Sequence, residues 1–238
     1  MNFFGDTLMF RYRVRGKHDI RYTRYDIRIL GIDEAGRGPV IGPLVICGLI
    51  MNSSNIPELS QRGVKDSKML TSFRRKKLKE DIHSLAEAYE LIVISPENID
   101  KEGMNDLELR VVAKLITQFC PNQVFLDAPT RNCVSYEKKI RELLSAEMKV
   151  GLVVENFADK NYPVVGAASI LAKVERDRII SELAKQYGDI GSGYPSDEKT
   201  IRFLREYFHR KKCFPPIVRK RWKTLQRIKM KEEGERYW

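Results

Sequence analysis

The chain has 238 residues, of which 42% are hydrophobic and 32% are charged, so it can bury a sizeable core and general disorder is excluded. The longest uninterrupted apolar run, Leu44–Met51, has eight residues, whereas a membrane-spanning helix needs about 20. The formal net charge is +11, and most of it lies at the ends: residues 199–238 contain 14 Lys or Arg and 4 Asp or Glu, and residues 1–31 contain 7 and 3. Basic ends suit a polyanion, most often nucleic acid, although a solvated basic surface is the alternative.

The cysteines and histidines indicate neither a disulfide framework nor a zinc site. The four cysteines are widely spaced, form no CxxC pair and have no histidine at a zinc-binding spacing. We therefore expect reduced thiols in a cytoplasmic protein, and the first residues predict no secretory signal because they lack a long apolar segment. The three histidines are expected to lie on the surface. The residues concerned are Cys47, Cys120, Cys133, Cys213, His18, His83 and His209.

In chain order, the sequence first predicts two strands and a helix. From Arg24 onward, apolar and charged residues alternate and lead into the apolar segment Leu30–Ile32, which is typical of a strand entering a buried sheet. Leu44–Met51 predicts a second strand, and Thr71 is suited to cap a helix. We expect that helix to turn four apolar residues inward, namely Phe73, Leu78, Ile82 and Leu85.

Strands and helices then alternate. A third strand is predicted at Glu90–Ser95, and Asn105 with Glu108 resembles a capping box at the start of a helix that stops at Pro121. The later predicted elements are a strand at Gln123–Asp127, a helix capped by Ser135 with Ile140, Leu143 and Leu144 inward, a strand at Lys149–Glu155, a long helix from Pro163 to near Gly188, and a helical region from Ser196 broken at Pro215 and Pro216. This order favours an α/β layered fold with a mixed sheet, followed by a small basic helical subdomain.

Acidic residues stand where the buried strands end. Asp33 and Glu34 close the first strand, Asp127 closes the fourth, and Asp159 lies between the fifth strand and the helix that begins at Pro163. Open α/β sheets place ligand groups at such carboxyl ends, so the four side chains could converge. For any one of them alone, a turn cap or helix cap is the simpler interpretation.

Converging carboxylates repel one another and need a counter-charge. With no paired cysteine and few histidines nearby, the expected cation is a hard, oxygen-seeking one, Mg²⁺ or Mn²⁺. Two such ions suit phosphodiester cleavage, because one activates a water and the other stabilises the leaving oxygen. A basic protein with an acidic metal cluster therefore predicts a metal-dependent nuclease or phosphotransferase.

The segment Asp33–Pro39 (DEAGRGP) is more specific. Glycines on both sides of Arg37 leave a bare backbone that can approach a sugar or phosphate, and the arginine can fork onto a phosphate. With further motifs in the same order, residues 28–228 resemble type 2 ribonuclease H (ribonuclease HII) in its archaeal single-chain style. These motifs are Lys65–Lys68 (KDSK), Phe125–Pro129 (FLDAP), Ala158 and Asp159 with Tyr162 and Pro163, Ala167–Asp177 (AASILAKVERD), Gly191–Asp197 (GSGYPSD) and Trp222–Thr224 (WKT).

The resemblance implies an RNase H-like fold, in which a mixed central sheet is flanked by helices and followed by a C-terminal helical subdomain. It implies hydrolysis of the RNA strand of RNA–DNA hybrids, and cutting on the 5′ side of ribonucleotides embedded in duplex DNA, which leaves a 3′-hydroxyl and a 5′-phosphate. The implied role is removal of ribonucleotides and RNA primers in DNA replication and repair. The family's metal-binding and catalytic carboxylates, which would hold two Mg²⁺ or Mn²⁺ ions, correspond to Asp33, Glu34, Asp127 and Asp159.

By the same resemblance, the family's glycine–arginine–glycine loop corresponds to Gly36, Arg37 and Gly38. It is expected to read the 2′-hydroxyl and hold the scissile phosphate, since only the 2′-hydroxyl separates RNA from DNA at one position. Tyr194 is expected to stack on the sugar that follows the ribonucleotide; a turn or core tyrosine is the alternative.

Other substrate contacts are implied less specifically. Lys65, Ser67 and Lys68 correspond to a phosphate-contacting loop, for which a solvated loop of charges is the alternative. Ser169 and Lys173 fall in a family stretch that serves substrate binding or packing.

The basic C-terminal region is expected to bind the duplex away from the cut. Arg219, Lys220, Arg221 and Lys223 surround Trp222. We expect Arg219, Lys220 and Lys223 to contact phosphates, which adds affinity without reading sequence. The alternative is that Trp222 anchors the region to the body and the cations are solvated.

The chain is accordingly divided into three regions. Residues 1–25 are predicted to be a poorly packed extension that is dispensable for catalysis. Residues 26–190 form the catalytic domain and residues 191–238 the basic helical substrate-binding region. We expect a monomer that acts on RNA–DNA hybrids and on ribonucleotide-containing duplex DNA, without a membrane or an obligatory protein partner.

Two other classes stay open on the residues alone. Another RNase H-like nuclease, such as a junction resolvase or an integrase core, would share the carboxylates but not the glycine–arginine–glycine loop or the tyrosine turn. A non-catalytic duplex-binding or ribosomal protein would explain the basic ends. In that case, however, a four-carboxylate cluster would repel the polyanion unless a metal were bound.

Overall fold

The computed structural model describes residues 9–15, 27–64 and 71–232, with side chains described from residue 27 onward. Its strands form one mixed six-stranded sheet. Along the chain they are β1 (Met9–Arg15), β2 (Arg28–Ala35), β3 (Leu44–Asn52), β4 (Ala88–Ile94), β5 (Gln123–Asp127) and β6 (Gly151–Glu155). Their order across the sheet is β1-β4-β3-β2-β5-β6. The pairs β1–β4, β4–β3 and β3–β2 are antiparallel, and the pairs β2–β5 and β5–β6 are parallel. The α/β class with a mixed sheet is confirmed.

Helices cover both faces of this sheet. Within the described ranges they are α1 (Ile56–Gln61), α2 (Ser72–Leu85), α3 (Pro96–Glu102), α4 (Met104–Phe119), α5 (Cys133–Leu143), α6 (Ala158–Asn161), α7 (Pro163–Tyr187), α8 (Glu198–Lys211) and α9 (Lys223–Glu232). One hydrophobic cluster joins the sheet to α4 and α5, and the other joins it to α2, α7, α8 and α9. None of these helices is long and apolar enough to cross a membrane.

Strand β3 forms the middle of the core because both of its faces are covered. Its odd and even residues enter different clusters: Ile46 packs on the side of α4 and α5, whereas Val45 and Cys47 pack on the side of α7. A continuous apolar strand is typical of this position.

The long helix α7 packs closely on β2. A Cβ atom at Gly31 of β2 would lie 2.5 Å from the backbone of Val164, so any larger residue would push the helix away from the sheet. Pro163 is the first residue of α7, as predicted, because its missing N–H costs nothing there. The start of α7 is thereby fixed against the strand that ends in Asp33 and Glu34.

The predicted capping box of α4 is wrong. The helix begins at Met104, and its N-cap is Gly103, whose φ of 87° suits glycine. Asn105 and Glu108 do not cap the helix because both side chains bind the guanidinium of Arg37. The competing partner lies 68 or more residues away in the sequence, so local spacing does not reveal it.

At the ends of two other helices the structure differs from the predictions: Ser135 is not the cap of α5, and Phe73 and Leu143 do not point inward. The cap of α5 is Asn132, whose Oδ1 accepts from the Ser135 N–H at 3.0 Å. Phe73 is 80% exposed because it lies in the first turn of α2, before the part of the helix whose Leu78 and Ile82 enter the core. Leu143 is 49% exposed at the last turn of α5.

The N-terminal extension contains a strand that was not predicted. Met9–Arg15 pairs antiparallel with β4 along its whole length, from Met9 opposite Ile94 to Arg15 opposite Ala88. The backbone of β1 covers the edge of β4, a long-range pairing that satisfies an otherwise open strand. Residues 9–15 are therefore not an unpacked tail. Residues 1–8 and 16–26 lie outside the described residues, and dispensability for catalysis stays a prediction.

The C-terminal helices share their core with the sheet. Leu204 of α8 and Leu225 of α9 belong to the same cluster as α7. Between these helices, Val218 pairs antiparallel with Ile41, and the Gly42 N–H donates to the Ile217 carbonyl at 2.8 Å. The functional division at residue 191 stays a prediction.

Candidate active site

Three of the predicted carboxylates line one cavity of about 490 Å³. Asp33 and Glu34 come from the end of β2, and Asp127 from the end of β5. These strands are parallel and pair from Ile29 opposite Gln123 to Ile32 opposite Leu126, so their carboxyl ends lie at the same edge of the sheet. The fold brings these three side chains together, as the strand ends predict.

Asp159 lies beside this group in α6. Its side chain is buried, and it is not among the residues that line the cavity. The preceding residue, Ala158, donates its N–H to Asp127 Oδ1 at 2.8 Å. Phe157 turns the chain there with a left-handed φ of 63°, a conformation that few non-glycine residues adopt. The hydrogen bond from Ala158 therefore fixes the backbone next to Asp159 against the side chain of Asp127.

Burial and mutual repulsion both disfavour the charged carboxylates. The pKa of Asp33 is raised to about 7, first by burial and then by the charge of Asp127. Burial, followed by the charge of Asp33, also raises the pKa of Glu34 well above its ordinary value. A hydrogen bond from Ser169 and the charge of Lys173 partly oppose the shift of the Asp33 pKa.

Ser169 and Lys173 support Asp33 from α7. Ser169 is fully buried, and its hydroxyl binds Asp33. Lys173 Nζ in turn donates to Ser169 Oγ at 2.8 Å. The expectation that Ser169 contacts substrate is wrong because its side chain is enclosed beneath the carboxylates.

The donor set fits a hard divalent cation. Carboxylate oxygens are the ligands that Mg²⁺ and Mn²⁺ prefer, and carboxylates with raised pKa values lose proton affinity when a cation supplies the missing counter-charge. In the part of the chain that the structure describes, no three His, Cys, Asp or Glu side chains are already arranged to hold one ion. Asp33, Glu34 and Asp127 are the side chains of this cavity that would hold such an ion.

The glycine–arginine–glycine loop begins where β2 ends. Gly36 has a φ of 100°, and a Cβ atom there would lie 2.7 Å from the Pro43 carbonyl oxygen and 2.8 Å from the Arg176 side chain. Only glycine fits this position without strain. Gly36 lines the same cavity as the carboxylates.

Arg37 is bound by two residues of α4. Its guanidinium forms an ion pair with Glu108 and donates to Asn105 Oδ1 at 2.7 Å. Glu108 is 1% exposed, and its other oxygen accepts from the Tyr136 hydroxyl at 2.8 Å. Arg37 is therefore held by one buried carboxylate and by one exposed amide.

Tyr194 lies on the other side of the loop. It is 40% exposed, it lines the cavity, and its ring would lie 3.5 Å from a Cβ atom at Gly38. The guanidinium of Arg176 lies 5.2 Å from the centre of this ring. The turn that carries Tyr194 is fixed because the Val40 N–H donates to the Gly193 carbonyl at 2.8 Å.

The family model described as ribonuclease HII matches residues 30–225. The chain belongs to the ribonuclease HII family. Ribonuclease HII of Pyrococcus furiosus is 46% identical over 206 residues, which cover 85% of this chain and 91% of that protein. Ribonuclease HII of Thermococcus sibiricus is 46% identical over 214 residues, covering 88% of this chain and 95% of that protein. The crystal structure of ribonuclease H2 from Pyrococcus horikoshii superposes with a TM-score of 0.81 at 38% identity, covering 88% of this chain and all of that one.

Membership of the ribonuclease HII family confirms the resemblance, the RNase H-like fold and the enzyme class. The protein is a ribonuclease H, a metal-dependent endonuclease that acts on RNA–DNA hybrids. A ribonuclease HII of Archaeoglobus fulgidus, solved in a complex with PCNA, superposes with a TM-score of 0.76 at 38% identity, covering 84% of this chain and 96% of that one. The ribonuclease HIII solved with Mn²⁺ shares only the fold, at 18% identity and a TM-score of 0.70 over 88% of this chain and 71% of that one.

The predicted basic contacts fall into three groups. Arg219 is fully buried, so its predicted phosphate contact is wrong; its guanidinium donates instead to the Gly36, Arg37 and Gly42 carbonyls. Lys220 and Lys223 are exposed, as a phosphate contact requires. The remaining predicted contacts lie outside the described residues, and they are Lys65, Ser67 and Lys68.

Sequence reasoning missed residues that shape the loop from a distance. Arg176 packs beneath Gly36 and Tyr194, and Glu108 holds Arg37. An acidic residue on the apolar face of α4 was the available signal for Glu108, because a buried carboxylate needs a partner. For Arg176, no local pattern distinguishes it from the other charged residues of α7.

Proposed function

We propose that this ribonuclease HII cuts duplex DNA on the 5′ side of an embedded ribonucleotide, as well as RNA in hybrids, and leaves a 3′-hydroxyl and a 5′-phosphate. The observation that carries this proposal is that the cavity with Asp33, Glu34 and Asp127 is also lined by Gly36 and Tyr194. A carboxylate cluster alone suits any metal nuclease. A loop and an aromatic ring at its rim add the means to recognise a sugar.

The proposed metal site consists of Asp33, Glu34, Asp127 and Asp159, with two Mg²⁺ or Mn²⁺ ions. When bound, these ions supply an activated water and a counter-charge for the leaving oxygen. The carboxylates contribute position, since Asp127 is fixed by the Ala158 N–H and Asp33 by Ser169. Lys173 adds a positive charge behind Asp33, which lowers its pKa and favours the charged form that a cation binds.

The substrate is proposed to lie across the Gly36–Gly38 loop. Gly36 and Gly38 carry no side chain, so a ribose can approach the backbone closely enough for its 2′-hydroxyl to be bound. Arg37 is proposed to hold the scissile phosphate, since a guanidinium binds phosphate oxygens through two parallel hydrogen bonds. Lys65, Ser67 and Lys68 are proposed as further phosphate contacts.

Tyr194 is proposed to stack on the sugar that follows the ribonucleotide. Its ring is 40% exposed and packed between Gly38 and Arg176, so it is oriented before substrate arrives. A deoxyribose fits against a flat aromatic face, whereas a 2′-hydroxyl would add a polar group without a partner there. This arrangement supports recognition of an RNA-to-DNA junction.

Lys220 and Lys223 are proposed to contact phosphates away from the cut. A groove between α8 and α9 extends the positive surface with Arg205, Arg227 and Lys231. Backbone contacts of this kind raise affinity and orient the duplex without reading bases.

The proposed role is removal of single ribonucleotides and RNA primers during DNA replication and repair, in the cytoplasm. Four free cysteines support a reducing compartment. We propose that the chain cuts as a monomer and needs no protein partner. An interaction with PCNA, as in the Archaeoglobus fulgidus relative, would add to this activity and would not be required for it.

The test is cleavage by the purified chain alone of a duplex that contains one ribonucleotide, with Mg²⁺ or Mn²⁺ and with EDTA as a control. A single cut 5′ of the ribonucleotide, with a 3′-hydroxyl end, is expected. Cutting of a continuous hybrid but not of this duplex would refute the proposal and leave the family activity in place.

A further inference from the structure

Two side chains of the C-terminal segment bind every carbonyl of the Gly36–Gly38 loop. Arg219 donates from Nη2 to the Gly36 oxygen at 2.5 Å and from Nη1 to the Arg37 oxygen at 3.0 Å. Trp222 donates from Nε1 to the Gly38 oxygen at 3.2 Å. The loop is thus held by residues more than 180 positions further along the chain.

Arg219 is built into this position. It is fully buried, its Nε donates to the Gly42 oxygen at 3.0 Å, and its guanidinium lies 4.9 Å from the centre of the Trp222 ring. Burial, with the charge of Arg176, lowers its pKa to about 9, so the group is still charged at neutral pH. Among the described residues, no carboxylate lies within ion-pair distance of Arg219, and its donors go to backbone oxygens.

The segment that carries this pair is anchored on both sides. The Arg219 N–H donates to the oxygen of Val40, two residues after the loop, at 2.9 Å. The N–H groups of Lys220 and Arg221 donate to the carboxylate of Asp100 in α3, at 2.7 and 3.2 Å. A buried cation with fixed backbone on either side has little freedom to move.

Fixing the Gly36 and Arg37 carbonyls also fixes two N–H donors of the loop. The Gly38 carbonyl precedes Pro39, which has no N–H, so the Trp222 bond holds the end of the loop and orients no donor itself. In a trans peptide the C=O and the following N–H point in opposite directions, and the described residues contain no cis peptide. The Gly36 and Arg37 carbonyls point to Arg219, so the N–H groups of Arg37 and Gly38 point away from the C-terminal segment. Backbone N–H groups are the donors with which a glycine loop can bind a hydroxyl or a phosphate oxygen.

We infer that Arg219, together with Trp222, is a positioning residue that sets the orientation of the Gly36–Gly38 peptides for the sugar and the scissile phosphate. The inference rests on the proposed role of this loop. It assigns Arg219 a task different from that of its neighbours Lys220 and Lys223. They lie on the surface and act on the duplex directly, whereas Arg219 acts through backbone carbonyls.

The test compares three variants at a temperature where thermal unfolding curves show each of them folded. Arg219→Gln removes the charge and most of the donors. Trp222→Phe keeps a ring beside Arg219 and removes only the donor to Gly38. Arg221→Gln is the matched control, because Arg221 is exposed and the charge change is the same. The readouts are kcat and KM on a continuous RNA–DNA hybrid, and the affinity for an all-DNA duplex measured in EDTA.

For Arg219→Gln we expect kcat to fall by at least about tenfold, since misplacing a reacting group by about 1 Å costs up to about a hundredfold. Trp222→Phe should lower kcat in the same direction but less, and both variants should keep the affinity for all-DNA duplex within about twofold. Arg221→Gln should leave kcat unchanged. If Arg219→Gln does not fold, the inference is tested by the kcat of Trp222→Phe on the hybrid.

An unchanged kcat for both folded variants, with only a lower melting temperature, would overturn the inference and make the pair a structural anchor. This outcome is distinguishable from failure of the proposed function. The proposed function is tested by wild-type cutting of the single-ribonucleotide duplex, whereas the variants are compared on the hybrid.

Discussion

The guanidinium of Arg37 forms an ion pair with the buried carboxylate of Glu108, which also accepts a hydrogen bond from Tyr136. The side chain of Arg37 is thus fixed by α4, while its carbonyl is fixed by Arg219. An arginine that is ordered before binding loses less conformational entropy when it meets a phosphate. The network at Glu108 is therefore expected to influence both stability and substrate binding.

Glu108→Gln should lower both the stability of the protein and its affinity for substrate. The glutamine keeps the shape of the side chain but leaves the charge of Arg37 without its partner, and we expect a loss of about 1–3 kcal/mol in the free energy of unfolding. KM for an RNA–DNA hybrid should rise because Arg37 is less well ordered. Chemical denaturation and steady-state kinetics measure these changes. Glu102→Gln is the control, since it removes a partly exposed ion pair with Arg110 and should change neither.

Asp33→Asn should abolish cutting while it stabilises the metal-free protein near neutral pH. The folded-state pKa of Asp33 is raised from 3.8 to about 7, so the folded protein binds more protons than the unfolded chain between these values. In EDTA, the contribution of Asp33 to the free energy of unfolding is therefore most favourable at low pH. As the pH rises from about 4 to 7, this contribution falls by on the order of 1–4 kcal/mol.

The measurement is the melting temperature of wild type and Asp33→Asn in EDTA at pH 5 and pH 8, with turnover measured in parallel. The variant should melt higher than wild type at pH 8, and the gap should narrow at pH 5. Asp127→Asn should likewise lose turnover and keep its fold. A well-folded variant at either position with wild-type turnover would remove that carboxylate from the mechanism.

Tyr194→Ala should reduce activity far more than stability. The side chain is 40% exposed, so its removal costs little core packing, but it takes away the flat surface beside Gly38. We expect a larger loss of kcat/KM on a duplex with one ribonucleotide than on a continuous hybrid. Tyr194→Phe keeps the ring and should retain most of the activity. Equal rates for wild type and Tyr194→Ala on both substrates would reduce Tyr194 to a turn residue.

Replacing Lys220 and Lys223 together by Gln should flatten the salt dependence of binding. Each phosphate contact contributes about 0.9 to the log–log slope on B-form duplex, so losing both should lower the slope by up to about 1.8. Turnover at saturating substrate should change little. Lys138 and Lys185, on α5 and near the end of α7, provide a double variant of equal charge for comparison. If the Lys220 and Lys223 double variant has the same slope as wild type and as the control variant, Lys220 and Lys223 do not contact nucleic acid.

Local patterns predicted the elements whose signals are contained within a few residues. Gln123–Asp127 is a strand with the predicted bounds, and Pro163 opens α7, because apolar alternation and a proline at a helix start need no distant partner. Strand ends also predicted that Asp33 and Asp127 would lie together. Parallel pairing of β2 and β5 makes this a geometric consequence.

Long-range contacts account for what the sequence alone did not predict. The spacing of Asn105 and Glu108 predicted a capping box. In the structure, both side chains instead bind the guanidinium of Arg37. Arg219 was predicted to be one of several surface cations in a basic segment. It is buried because its guanidinium donates to the carbonyls of the Gly36–Gly38 loop. In both cases the side chain binds a partner that is far away in the sequence. Hydrophobic periodicity and local charge density do not predict such a contact.

The central claim is that a single ribonucleotide in duplex DNA is enough to direct the cut. The most direct measurement incubates the purified chain with Mg²⁺ or Mn²⁺ and two duplexes of the same sequence, one all DNA and one with a single ribonucleotide, and maps the product ends. We expect one cut on the 5′ side of the ribonucleotide, with a 3′-hydroxyl and a 5′-phosphate, no cut in the all-DNA duplex, and complete inhibition by EDTA. Cutting that persists in EDTA, or that occurs at sites unrelated to the ribonucleotide, would contradict this claim.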